Sequence, residues 1–216
     1  MTALAYEAPE ATMPGPERPD LEDELLWQAW KAMELPEGLR AEIVEGFIEV
    51  SPTGRHRHSK IGFRFRRDLA KFLDAQSSTF ITDNDMNVMH GKDVLIPDAY
   101  VAPEDDDEFI TEDGLGLDAQ GVALVLEVVS RGNDGIQRDR VRKRRAYARA
   151  GIPVYVIIDD YDDHGHVTVL TSPSPEEANY GDSTRRPYGT DITIPEGPAK
   201  GFVIGEPITG PRRSGS

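Results

Sequence analysis

The segment Val122–Asp159, VALVLEVVSRGNDGIQRDRVRKRRAYARAGIPVYVIID, limits the possible fold more than any other part of the chain. An apolar run carrying one acid, Glu127, leads into a Gly/Asn loop, a strongly basic helical pattern and a second apolar run. That order predicts a strand–helix–strand unit. A strand as apolar as Val122–Val129 is normally buried on both faces. An ionised carboxylate there costs several kcal/mol unless it is paired or holds a cation. Glu127 therefore demands a partner from elsewhere in the chain.

The chain of 216 residues is long enough for one domain with a real core. It contains no cysteine, which excludes disulfides, thiol catalysis and cysteine zinc sites. It has no apolar run of membrane-spanning length, and its first twenty residues do not combine a basic start with an apolar stretch. A cytoplasmic location away from membranes is the expectation. The net charge of −15 argues against nucleic acid when taken alone. Its distribution argues the other way. Arg55–Lys71 holds seven Lys and Arg against one acid, and Arg131–Arg149 holds eight against two. Local charge decides whether a phosphate backbone is attracted, because screening acts over roughly 8 Å.

Residues 1–19, rich in Pro, Ala and Glu, read as a disordered tail, and residues 206–216 as a second flexible tail. Between them, 20–205 is expected to form one domain. Asp20 is placed to cap a helix carrying Leu26, Trp27, Trp30 and Met33. Arg40–Pro52 reads as a hairpin about Glu45-Gly46, and Glu42 and Glu49, by residue type alone, as solvent-facing acids within it. His58–Ala75 has helical spacing on Ile61, Phe65, Leu69, Phe72 and Leu73. Its cations fit either a solvated face or a phosphate-facing one. Thr79–Asn87 and Asp93–Ala102 read as strands. In the second, period two puts Val94, Ile96, Asp98 and Tyr100 on one face, and Pro97 implies an edge, a bulge or a strand start. Glu104–Glu108 reads as a solvated acidic loop, Ser172–Arg186 as loop, and His166–Leu170 as a strand.

The element order predicts an α/β (α+β) fold, a central mixed β-sheet flanked by helices, with an N-terminal helix and β-hairpin. Asp98 and Glu127 are two acids in two apolar strands. On adjacent strands they can share a pocket and hold a hard divalent cation. Mg²⁺, or Mn²⁺, suits such a site because it takes oxygen ligands and needs only one or two carboxylates.

Pro97-Asp98, with Glu127 after 28 intervening residues, resembles the PD-(D/E)XK restriction-endonuclease-like nucleases. The lysine of that motif would stand at position 129, which is Val129. The longer pattern of EVVS, Asp139, Lys143, Tyr147 and GIPVYVIID is similar to the Uma-two family of restriction endonucleases, in which the following helix supplies the lysine. AEIVEG-FIEVSP followed by His58 fits the same family, over roughly residues 20–200. The resemblance implies a restriction-endonuclease-like fold and metal-dependent hydrolysis of DNA phosphodiesters. It implies Asp98, Glu127 and the backbone carbonyl of Val128 as metal ligands. Lys143 would orient water or stabilise developing charge, Glu42 would be an additional acid, and His58 a general acid or phosphate contact. Arg64, Arg67, Arg140 and Arg144 become candidate DNA contacts, and a homodimer is compatible with cutting two strands. A phosphatase of small substrates, a DNA mimic and a non-catalytic nucleic-acid-binding protein on a nuclease scaffold are the competing readings. Val129 and the acidic balance keep the last of these open.

Overall fold

The computed structural model describes residues 21–84 and 86–212. The N-terminal tail and the capping position Asp20 lie outside the described residues. Helix α1 (Leu21–Lys31) opens with three acids, which favours the positive end of the helix dipole. Strands β1 (Leu39–Val44) and β2 (Phe47–Pro52) form the expected hairpin. Glu45 and Gly46 both adopt positive φ, 52° and 82°, as a type I′ turn requires. Helix α2 (His56–Ala75) then buries Ile61, Phe65, Leu69 and Leu73. Strands β3 (Phe80–Asp83), β4 (Asn87–His90), β5 (Asp93–Leu95), β6 (Ala99–Pro103) and β7 (Gly116–Asp118) follow.

The central unit begins with β8 (Leu124–Val128). It continues through α3 (Asn133–Gln137), a π-helical segment (Arg138–Arg142) and α4 (Lys143–Arg149), and ends in β9 (Val154–Asp159). Strands β8 and β9 are parallel, as the connecting helix requires. Strands β10 (His166–Ser174), β11 (Asn179–Pro187), β12 (Ile192–Thr193) and β13 (Val203–Ile204) and a helical turn, α5 (Glu206–Thr209), complete the described chain.

Instead of one central sheet there are two large ones. Six strands run in the order β11-β10-β9-β8-β6-β3, five in the order β2-β1-β5-β4-β7, and β12-β13 form a small hairpin. Each large sheet contains one parallel pair, so the mixed α/β class stands. The expected strand over Asp93–Ala102 is divided: β5 belongs to one sheet and β6 to the other. Pro97-Asp98 is the crossing between them. Pro97 has no N–H to donate to a ladder, so the chain can leave one sheet there without orphaning a donor. Asp98 therefore lies just outside β6, not within a strand. Thr79–Asn87 is divided in the same way, into β3 and β4.

The faces of the six-stranded sheet are covered differently. Leu124, Leu126 and Val128 pack with Ile61, Phe65, Leu69 and Leu73 of α2. Val125 and Val129 pack with Ala146 and Tyr147 of α4 and with Val44, Val88, Leu95 and Leu117 of the five-stranded sheet. By period two, Glu127 shares the second face. It is thus enclosed between the two sheets, next to α4.

Two further expectations are corrected. Ser172–Arg186 is largely strand: β10 runs to Ser174 and β11 begins at Asn179. Only Tyr180 of β11 is buried, so this edge strand shows no apolar alternation. Residues 206–209, assigned to the C-terminal tail, fold as α5 with Ile208 and Thr209 buried.

Phe65 is fully buried and meets Phe202 edge-on at 5.5 Å between ring centres. Phe65→Ala should lower the unfolding free energy by about 3–5 kcal/mol, read as a reduced urea midpoint with the slope unchanged.

Candidate functional site

Four elements deliver charged side chains into the space between the sheets. Glu42 comes from β1, Asp98 from the sheet crossing, Glu127 from β8 and Lys143 from the first turn of α4. Glu42 and Lys143 are wholly buried, and Glu127 is 1% exposed. The Lys143 ammonium lies 2.6 Å from Glu42 Oε1 and donates to Glu127 Oε1 at 2.8 Å and to the Ile96 carbonyl at 3.1 Å. Its three N–H bonds are matched by three acceptors. Glu42 Oε1 also accepts from the Ile96 N–H at 2.6 Å, which ties the hairpin to the segment leading into Pro97-Asp98. The base-rate expectation that Glu42 faces solvent is thus reversed.

Asp98 is set by the neighbouring strand. Its N–H donates to the Leu126 carbonyl at 3.0 Å, and its Oδ2 accepts from the Val128 N–H at 2.7 Å. The backbone contact thus places Asp98 beside Glu127. Two basic side chains face it: His58 Nε2 lies 3.1 Å from Oδ2, and an Arg40 guanidinium nitrogen lies 3.8 Å from Oδ1. Arg66 donates to the Asp98 carbonyl at 2.8 Å. His58 can adopt this position because Gly54 has no side chain; a Cβ there would stand 2.1 Å from His58 Nδ1.

Burial drives the Glu127 carboxyl up to about 7. The Lys143 charge opposes that rise, and the carboxylates of Asp98, Asp139 and Glu42 add to it. Burial would also raise Asp98, but the His58 hydrogen bond and charge, the Arg40 charge and the Val128 N–H together hold it below its ordinary value. Burial would depress Lys143, yet Glu127 and Glu42 outweigh it and raise the ammonium. His58 is raised likewise, by Asp98 against burial.

Tyr147 is fully buried and donates to Glu127 Oε1 at 2.6 Å, so it orients the acid and does not reach solvent. Asp139 accepts from the Ser130 N–H at 3.0 Å and pairs with Arg138 at 2.8 Å, closing the loop after β8. The sequence spacing puts Asp139, Lys143 and Tyr147 on one α-helical face. The π-helical segment changes the angular step, so Asp139 serves the loop while Lys143 and Tyr147 both reach Glu127. Such wide turns recur at functional sites.

The four arginines expected at DNA lie outside this cluster. Arg140 pairs with Asp159 at 2.5 Å, and Arg144 donates to Asn179 at 2.7 Å. Arg67 pairs with its neighbour Asp68. Arg64 lines an open groove with Arg57, Lys60 and residues of the chain from Glu206 to Pro211. A cavity of about 720 Å³ lies elsewhere, between α1 and the β4–β5 turn, and holds none of the clustered residues. Among the described residues no group of three or more His, Asp or Glu is arranged as a metal site. The acids are held instead by Lys143, Arg40 and His58. Arg40 is the member that sequence reasoning missed. Its signal was its position two residues before Glu42 on the same face of β1.

This is a mixed α/β fold with a buried carboxylate–lysine centre where the chain passes between sheets. A crystal structure of a putative nuclease from Anabaena variabilis has the same fold, with a TM-score of 0.57 and 17% identity over 79% of this chain and 88% of that one. The Uma2 family model, described as a putative restriction endonuclease, matches residues 27–203, and the chain belongs to that family. No curated protein matches.

The raised Glu127 sets a pH dependence. The folded state holds this proton more tightly than the unfolded chain, so its contribution to stability falls as pH rises from about 4.5 to about 7 and is level above that. Urea unfolding of metal-free wild type and Glu127→Gln across this range should show the wild-type free energy declining relative to the variant. A constant difference would mean that Glu127 titrates as an ordinary surface acid.

Proposed function

We propose that the protein is a metal-dependent DNA endonuclease whose reacting centre is formed by Asp98, Glu127 and Lys143, with Glu42 and His58 beside them. The observation that carries this reading is the single cluster in which a buried lysine joins two buried glutamates and a backbone-fixed aspartate adjoins one of them. Membership of a family described as restriction endonucleases supports the substrate class.

The residues fit a hard divalent cation. Asp98, Glu127 and the Val128 carbonyl are oxygen donors on one strand end and its neighbour. Glu42 Oε2 is a buried carboxylate oxygen with no hydrogen-bond partner. Mg²⁺ or Mn²⁺ takes such ligands. When bound, it supplies neutralisation of charge on a phosphoryl oxygen and a more acidic water.

The side chains have separate tasks. Glu42 keeps Lys143 charged and fixed; with its three N–H bonds already matched by the protein, the ammonium acts through its charge, which favours the negative charge that develops on the phosphorane. Tyr147 and Lys143 hold Glu127 by one oxygen, Oε1. His58, whose proton Asp98 helps to retain, is placed to give a proton to the leaving oxygen. Arg64 and Lys60 on the open side of α2 supply cations for the phosphate backbone further along.

The non-catalytic alternative has less support. A scaffold that only binds DNA gains nothing from burying Glu42, Glu127 and Lys143, a set whose desolvation is costly.

Supercoiled plasmid should be nicked in the presence of Mg²⁺ or Mn²⁺ and not in EDTA. Asp98→Asn and Glu127→Gln should abolish nicking while DNA binding persists in a gel-shift assay. Lys143→Met should slow cleavage on the order of a hundredfold or more. Metal-independent cleavage, or full activity in Glu127→Gln, would exclude this site.

A further inference from the structure

The hairpin presents one polar row toward the centre. Arg40 and Glu42 alternate on β1, and Ser51 and Glu49 stand directly opposite them on β2. Residues directly opposite on antiparallel strands point to the same side. Two of the four already reach groups of the centre: Arg40 faces Asp98 and Glu42 meets Lys143, while Glu49 pairs with Arg142 at 2.6 Å. Ser51, only 9% exposed, completes the row next to Arg40.

Ser51 and Arg40 are incompletely used. Ser51 Oγ and Arg40 Nε are both buried with no hydrogen-bond partner. The Arg40 side chain retains 18% exposure, so it is open at one side. Its contact to Asp98 is a loose 3.8 Å, not a hydrogen bond. A buried donor left unmade costs free energy in the free protein. Two adjacent donors, one a guanidinium, next to a carboxylate centre have the chemistry of an anion subsite. A guanidinium fork matches phosphate oxygens, and a hydroxyl adds a further donor.

We propose that Arg40 and Ser51 form the subsite that grips a non-bridging oxygen of the scissile phosphate. This rests on the endonuclease reading of the same centre and names the residues by which it holds its substrate. In the free protein Arg40 serves as a counter-ion to Asp98. If Asp98 held a divalent cation, Arg40 would no longer be needed as its counter-ion and could turn to the phosphate. Phosphate affinity therefore depends on the cation, through Arg40.

The test uses calorimetric titration of the full chain, first with Ca²⁺ and then with thymidine 3′,5′-bisphosphate at saturating Ca²⁺. Wild type is compared with Ser51→Ala, Arg40→Met, Arg40→Lys and Glu127→Gln. Wild type should bind the nucleotide only when Ca²⁺ is present. Arg40→Met should lose roughly ten- to a hundredfold in nucleotide affinity, as for a charged hydrogen bond, with Ca²⁺ affinity equal or higher. Arg40→Lys should recover part of that loss. Ser51→Ala should weaken nucleotide binding several-fold, yet its melting temperature should be unchanged or raised, because no hydrogen bond is lost on folding. Nucleotide binding at wild-type strength in both Arg40→Met and Ser51→Ala, or no nucleotide binding by Ca²⁺-loaded wild type, would overturn the subsite alone. Ca²⁺ binding that is absent from wild type, or equally strong in Glu127→Gln, would overturn the endonuclease reading and the subsite with it.

Discussion

The structure turns on one ammonium group. Lys143 lies between Glu42 and Glu127, wholly removed from solvent, and satisfies both with short contacts. Desolvating three such charges costs several kcal/mol per ion, and only close geometry with complete hydrogen bonding recovers it. The Ile96 carbonyl and N–H and the Tyr147 hydroxyl supply most of what the ions do not supply to one another, and Glu42 Oε2 is left without a hydrogen bond. Removing one member leaves the others as unpaired charges in a low-dielectric space. The cluster thus couples the hairpin, the sheet crossing, strand β8 and helix α4.

The fold's contribution is to make these four elements converge. Parallel strands β8 and β9 need a helical crossover, and the crossover brings Lys143 over Glu127. Pro97 lets the chain leave the five-stranded sheet and enter the six-stranded one, and Asp98 is the first residue after that break. The Val128 N–H then fixes its carboxylate. The result is a group of acids at a seam, buried on the protein side and fringed by Arg40 and His58 on the other.

Much of this centre was legible because charge in an apolar strand is costly. Glu127 within VALVLEVVS and Asp98 within DVLIPDAYVA stood out for that reason, and the family resemblance added Lys143 and Glu42. Arg40 and Ser51 were not legible, since a cation and a serine at the mouth of a hairpin look like ordinary surface residues. The two-sheet arrangement was hidden because a proline in an apolar run also fits a bulge. Strand β11 was missed because polar residues occupy both its faces. The π-helical segment left no trace, because the sequence spacing of Asp139, Lys143 and Tyr147 is that of a regular α-helix. Most of the hydrophobic framework, from the hairpin turn to the buried stripe of α2, followed from periodicity.

The central claim is that the carboxylates around Lys143 form a cation site. The most direct measurement is an anomalous difference map from crystals grown with Mn²⁺. The account predicts a peak with Asp98 and Glu127 as ligands and Lys143 still paired with Glu42. A map with no peak near Asp98, in crystals whose Mn²⁺ is evident elsewhere, would contradict it.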